Sequence, residues 1–192
     1  MPTAKTPPAP ERRGAASRAA IPRGVLAALN AGEIETKSLV EGLAIDFAKL
    51  AQSALPPILG ANAEPAIAAA RASVKQELGF AERTRTLGAA IAEQLGTGAA
   101  RAKRVEALSL HRSDTVRGWC AYALAGERGL ALDESLARMR VFAADAHFGV
   151  REFAWLAVRP ALAAEIERAI ALLTPWTREP DANLRRFASE AT

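Results

Sequence analysis

Apolar positions along this chain recur at intervals of three and four, and no stretch shows strict alternation, so the pattern predicts helices and no half-buried strand. The strongest of these helical stretches repeat. Val116-Arg117-Gly118-Trp119-Cys120, Val150-Arg151-Glu152-Phe153-Ala154 and Leu184-Arg185-Arg186-Phe187-Ala188 share one order (aliphatic, arginine, variable, aromatic, small) at a spacing of 34 residues. Leu108, Phe142 and Trp176 are equivalent in that register, as are Val105, Met139 and Leu173. A fixed period of this size predicts stacked helix pairs, none able to bury its apolar face without its neighbours. The expected fold class is all-α, an α-solenoid.

Turn and cap residues divide the pattern into elements. Pro22 suits the first turn of a short helix that stops near Asn30-Ala31-Gly32. Thr36 is placed to cap a second helix carrying Leu39, Val40, Leu43, Phe47 and Leu50, which Pro56-Pro57 ends. Helices follow at about 64–78 and 80–95, separated by Gly79 and closed by Gly96-Thr97-Gly98. Three pairs come next: 100–110 with 114–125, 134–144 with 148–159, and 161–175 with 182–191. Ser113 or Asp114, and Asp181, stand where second helices need caps. Residues 1–20, rich in Pro, Ala and Arg, predict a disordered basic tail, and 21–192 a single repeat domain. Thr192 falls about two turns into the last helix, where a solenoid normally carries a polar cap, so either the chain is a truncated product or another element completes the stack.

Charge changes this picture less than its total suggests. The net charge is +4, but residues 1–23 hold Lys5, Arg12, Arg13, Arg18 and Arg23 against Glu11 alone. The body is therefore neutral, and bulk charge is no argument for a nucleic-acid site there. Any basic surface lies in the repeat half, where residues 101–192 carry fourteen bases against twelve acids. The one cysteine, Cys120, excludes an internal disulfide and fits a reducing cytoplasm. No apolar run approaches the roughly 20 residues of a membrane span. The start lacks a signal-peptide core, although its Arg-rich, acid-poor character faintly resembles a transit peptide. His111 and His147 occupy corresponding loops as cap or loop residues, and with one cysteine they complete no zinc set, so neither metal nor cofactor is expected. No Gly-rich phosphate loop and no Ser or Cys nucleophile motif is present.

The period also suits tetratricopeptide repeats, but their signature is absent, and an aliphatic-Arg pair opening the second helix belongs to HEAT-type repeats. Four segments carry a closer likeness: Leu29-Asn30-Ala31-Gly32-Glu33 through Asp46-Phe47-Ala48, Ser113-Asp114-Thr115-Val116-Arg117-Gly118-Trp119, His147-Phe148-Gly149-Val150-Arg151-Glu152-Phe153-Ala154-Trp155, and Asn183-Leu184-Arg185-Arg186-Phe187-Ala188-Ser189-Glu190. On these, residues 24–50 and 105–192 resemble the HEAT-like-repeat DNA alkylation repair proteins, the alkylpurine glycosylases of the AlkC/AlkD type. The resemblance implies a curved helix stack holding alkylated double-stranded DNA on its concave face. It implies hydrolysis of the N-glycosidic bond of purines made cationic at N3 or N7, without the deep base flipping usual among glycosylases. Such a base is already a good leaving group, so the task left is to stabilise an oxocarbenium-like transition state with a fixed carboxylate and aromatic faces.

Candidate residues follow. Arg117, Arg151 and Arg185, with Arg186 beside the last, read either as a ladder of phosphate contacts or as structural arginines paired with Asp114, Asp145 or Asp181. Trp155 lies four residues after Arg151 and four before Arg159, one stripe on a helix. Its equivalents, Ala121 and Ser189, are small, which favours an exposed platform over a buried filler, and it looks like the family's lesion-facing tryptophan. Trp119 and Trp176 keep their volume across repeats and are expected in the core. For the catalytic carboxylate the candidates are Glu152 and Glu190, because the tryptophan-aspartate pair of the best-known branch is missing and the corresponding stretch reads Gly79-Phe80-Ala81-Glu82-Arg83-Thr84-Arg85. The expected activity is therefore DNA binding with alkylpurine excision, against a non-catalytic DNA-binding relative or an α-solenoid scaffold for other proteins.

Overall fold

The computed structural model describes residues 12–127 and 129–191. Among them every regular element is helical: α1 (Arg23–Ala31), α2 (Leu39–Ala44), α3 (Phe47–Ala54), α4 (Pro56–Leu59), α5 (Glu64–Lys75), α6 (Phe80–Gln94), α7 (Gly98–Ser109), α8 (Asp114–Ala125), α9 (Leu132–Ala143), α10 (Phe148–Ala164), α11 (Ile166–Leu173) and α12 (Ala182–Ala191), with short 3-10 turns between some of them. From α5 onward the helices form pairs on a constant step. First helices begin at Glu64, Gly98, Leu132 and Ile166, and second helices at Phe80, Asp114, Phe148 and Ala182. The repeat read at the C-terminal end thus extends one unit further towards the N-terminus. Second helices pack on one another in the series α6, α8, α10, α12, and each of α5, α7 and α9 packs on the second helix of its own pair.

Several boundaries differ from the sequence reading, each for a local reason. The single helix expected over Leu39 to Leu50 is two, because Asp46 accepts the N–H groups of Ala48 and Lys49 and starts α3 afresh. Ser38, not Thr36, caps α2. Pro56-Pro57 open α4 rather than only closing α3, as suits residues with no N–H to donate in a first turn. The break expected after residue 159 comes at Glu165, and Pro160 lies inside α10, where the flanking Val158 and Leu162 are buried and hold the helix on its course.

Thr36 has a different task. Its N–H and hydroxyl both donate to the buried carboxylate of Asp114, at 2.9 Å each, and its carbonyl accepts from His147 Nε2 at 2.7 Å. His147 Nδ1 accepts the N–H of Gly149, and the ring thereby caps α10. This cluster ties the loop before α2 to the start of two second helices. His111 likewise accepts the N–H of Ser113 in the preceding loop.

The tail expected over 1–20 falls partly outside the described residues, at 1–11. Residues 12–20 are ordered against the body. Arg12 donates to both oxygens of Glu41, whose side chain is fully buried, and Ala15 N–H donates to the same carboxylate. Ser38 Oγ donates to the Ala15 carbonyl at 2.8 Å.

The core runs through the whole stack. Trp119 is fully buried, as expected, with Phe47 edge-on at 5.3 Å, and Phe47 in turn meets Phe80. Trp176 is only half-buried, packed on Phe187 with the Arg140 guanidinium over its ring. Two glycines let second helices approach: a Cβ on Gly88 would sit 2.5 Å from that of Tyr122, and one on Gly118 would lie inside the Phe153 ring.

Candidate nucleic-acid interface

The repeated arginines share one geometry. Arg117 Nη1 donates to the carbonyls of His111 and Arg112, Arg151 Nη1 to those of Asp145 and Ala146, and Arg185 Nη1 to those of Glu179 and Pro180. Each guanidinium thus closes the loop that joins the two helices of its own pair. Arg117 goes further, giving Nε and Nη2 to Asp145 and Nη2 to Glu35. All five of its donors are used, and the side chain is 10% exposed. It therefore has nothing to offer a phosphate, which corrects the reading of Arg117 as a DNA contact. The aspartate pairing expected of these arginines holds for Arg117 and Asp145. Asp181 instead caps the start of α12, accepting from Asn183 and Leu184, and Asp114 serves Thr36. Arg151 and Arg185 each keep Nε and Nη2 out of these loop bonds, Arg185 on an exposed side chain.

The remaining candidates are gathered by two neighbouring second helices. On α10, Trp155 is half-buried and donates its indole N–H to Glu152 Oε2 at 2.9 Å, while the Arg159 guanidinium covers its ring at 5.2 Å. On α12, Arg186 donates through Nε to Glu190 Oε1 at 2.7 Å, and its Nη2 lies 3.7 Å from Glu152 Oε1. Glu152, Glu190, Arg151 and Arg186 line one cleft of about 150 Å3 between the two helices, with Phe148 and Asn183 beside them. Arg186 is held more firmly protonated by its bond to Glu190 and by the charges of both glutamates. Trp155 is thus neither sealed in the core nor freely projecting. Its ring is an oriented face, pinned at one edge by a carboxylate.

A second groove, of about 470 Å3, lies between α6, α8 and α10. Arg159 belongs to it and so connects it to Trp155. Arg85 and Tyr122 line it too, and neither was singled out by sequence. The signal was available in the 34-residue register: Arg85 takes the place of Trp119 and Phe153, and Tyr122 that of Leu156 and Glu190. Burial pushes the Tyr122 phenol above its ordinary value, with nearby Arg85 opposing, so it keeps its proton at neutral pH. Cys120 is buried with its thiol pushed up to about 12 by desolvation, which makes it inert. Among the described residues no His, Cys, Asp and Glu side chains group to hold a metal ion, and no helix is long and apolar enough to cross a membrane. Comparison with protein-family models, with curated proteins and with solved structures returns no match to this chain.

Proposed function

We propose that the chain is an α-solenoid of HEAT-like helix pairs, working in the cytoplasm, that binds double-stranded DNA and excises cationic N3- or N7-alkylpurines by hydrolysing the N-glycosidic bond. The observation that carries this reading is the bonded pair of Trp155 and Glu152, flanked by Arg159 and Arg186. An indole face attracts a cationic base, and the carboxylate fixed at its edge is suited to the positive charge that grows on the sugar as the bond breaks. Arg151, Arg159, Arg185 and Arg186 supply cations for the phosphates on either side. Glu152 takes the role of stabilising carboxylate ahead of Glu190, because the indole N–H holds it in place while Glu190 is spent on Arg186.

The test is release of 3-methyladenine or 7-methylguanine from methylated duplex DNA. Glu152→Gln is expected to slow release about 100-fold or more with DNA binding kept. Trp155→Ala is expected to weaken binding to methylated duplex roughly 5- to 100-fold. If Glu152→Gln and Glu190→Gln both release base at the full rate, the assignment of the acid is wrong. One observation favours a second reading, a non-catalytic DNA-binding relative: Arg186 sits between Glu152 and Glu190 and offsets the charge that catalysis would use. Specific binding of methylated duplex without any base release would select it. Binding to duplex that is weak and insensitive to salt would select a protein-interaction scaffold instead.

A further inference from the structure

Charge along the second helices is unevenly divided. The cleft between α10 and α12 holds acids and arginines together, and its guanidinium on Arg186 is committed to Glu190. The groove between α6, α8 and α10 holds two cations, Arg85 and Arg159, and no acid. Among the described residues neither of these arginines has an ion-pair partner, and both side chains are exposed. Tyr122 stands in the same groove, its ring held edge-on by Phe153 at 6.2 Å and its α8 backbone brought close to α6 by Gly88. Apart from Leu156 and Pro160, the rest of the lining is small. Ala89, Ala125 and Ala157 leave a shallow floor that a ligand's backbone can approach without displacing side chains. Two guanidiniums in one groove, beside a phenol and with no carboxylate in the lining, are complementary to an anion and repel a cation.

We propose that this groove is a phosphate subsite, in which Arg85 and Arg159 hold a phosphodiester of duplex DNA and the Tyr122 hydroxyl donates to the same group. It rests on the DNA-binding reading and sets the direction of the duplex within it. The backbone beside the lesion lies over α6 and α8, and the cationic base is turned the other way, towards Glu152 at the α10–α12 end, because two guanidiniums without a carboxylate partner exclude it from the groove. Arg85 and Tyr122 are positioning residues for the ligand, and they act on damaged and undamaged DNA alike.

The experiment is a salt series of equilibrium binding to a short duplex, with and without methylation, on the full chain and on Arg85→Ala, Arg85→Glu and Tyr122→Phe, each checked for unchanged thermal melting. Arg85→Ala is expected to weaken both duplexes by about 3- to 10-fold and to reduce the slope of log affinity against log salt by about 1. Arg85→Glu is expected to weaken them further, and Tyr122→Phe by a few-fold with the slope kept. The preference for methylated over unmethylated duplex stays as in the parent, whereas Trp155→Ala erases it. If the Arg85 variants bind both duplexes with parental affinity and slope while Trp155→Ala still loses the methylated one, the subsite is wrong and the DNA-binding reading stands. If the parent chain binds neither duplex, the reading itself is wrong and the subsite falls with it. Tighter binding of poly-glutamate than of duplex, lost in Arg85→Glu, overturns the phosphate assignment in favour of an acidic protein partner.

Discussion

Arg117 donates to Asp145, to Glu35 and to two loop carbonyls, so its loss would strand a carboxylate that is 15% exposed and uncover the loop between α7 and α8. Arg117→Ala is expected to cost about 3 kcal/mol of stability, read from urea unfolding. A loss below about 1 kcal/mol would mean the guanidinium is not the tie the hydrogen bonds describe. Arg186, on α12 and one place after the repeated arginine, faces the opposite situation. It is exposed and its carboxylate partners compete with solvent, so substitution there is expected to cost little stability. Arg117 and Arg185 read alike in the sequence, although one is buried and the other exposed, because the repeat records which residue is present and not how its neighbours leave it open. At Trp155 the small equivalents Ala121 and Ser189 favour an exposed platform, whereas the ring is half-buried against the core and carries a polar bond and a stacked cation.

At the scale of elements, second helices touch where a glycine removes a side chain. Gly118 on α8 faces the Phe153 ring of α10, and any Cβ there meets the aromatic carbons. Gly118→Ala is therefore expected to cost about 1–3 kcal/mol by overpacking, visible as a lower urea midpoint with an unchanged slope. A variant as stable as the parent would show that the α8–α10 contact has slack. Element existence was legible throughout the repeat half, since the period-34 aromatics fill the gaps between successive pairs. The pair α5–α6 escaped the same reading for a physical reason. Its register positions carry Glu82-Arg83-Thr84-Arg85-Thr86, with only Arg83 kept, because the aromatic volume at that level comes from Phe47 and Phe80 instead. Pro160 misled in the other direction: a proline usually marks a boundary, but here buried Val158 and Leu162 outweigh one lost hydrogen bond. Thr36 looked like a cap by type and proved to be a long-range ligand of Asp114, a contact across 78 positions that no local pattern records.

For the whole molecule, the seam between the N-terminal segment and the repeats responds to acid. Burial raises the affinity of Glu41 for its proton, yet the bond from Arg12 and the N–H groups of Lys37 and Ala15 outweigh it, leaving the carboxyl below its ordinary 4.5. Burial, then the charges of Arg117 and Arg112, hold the His111 imidazole below 6.5. In both cases the unfolded chain takes up protons first as pH falls, so stability falls with it. The His111 contribution is complete above about pH 6.5 and is lost through its lower folded value, and that of Glu41 is complete above about pH 4.5 and is lost in the same way. The urea midpoint is expected to fall in two stages on acidification, with Glu41→Gln flattening the lower one. A midpoint flat from about pH 7 to pH 2 would contradict both environments.

In the pairs α7–α8, α9–α10 and α11–α12 a guanidinium closes the loop from inside its own pair, and the pairs follow one another at a constant interval. Each of these three units therefore travels with its own fastener. A stretch such as 132–165 is in effect a cassette: copied in tandem, it would present the same two joining surfaces at each end, and the rod would grow by one notch with the clasp of the new hinge already supplied.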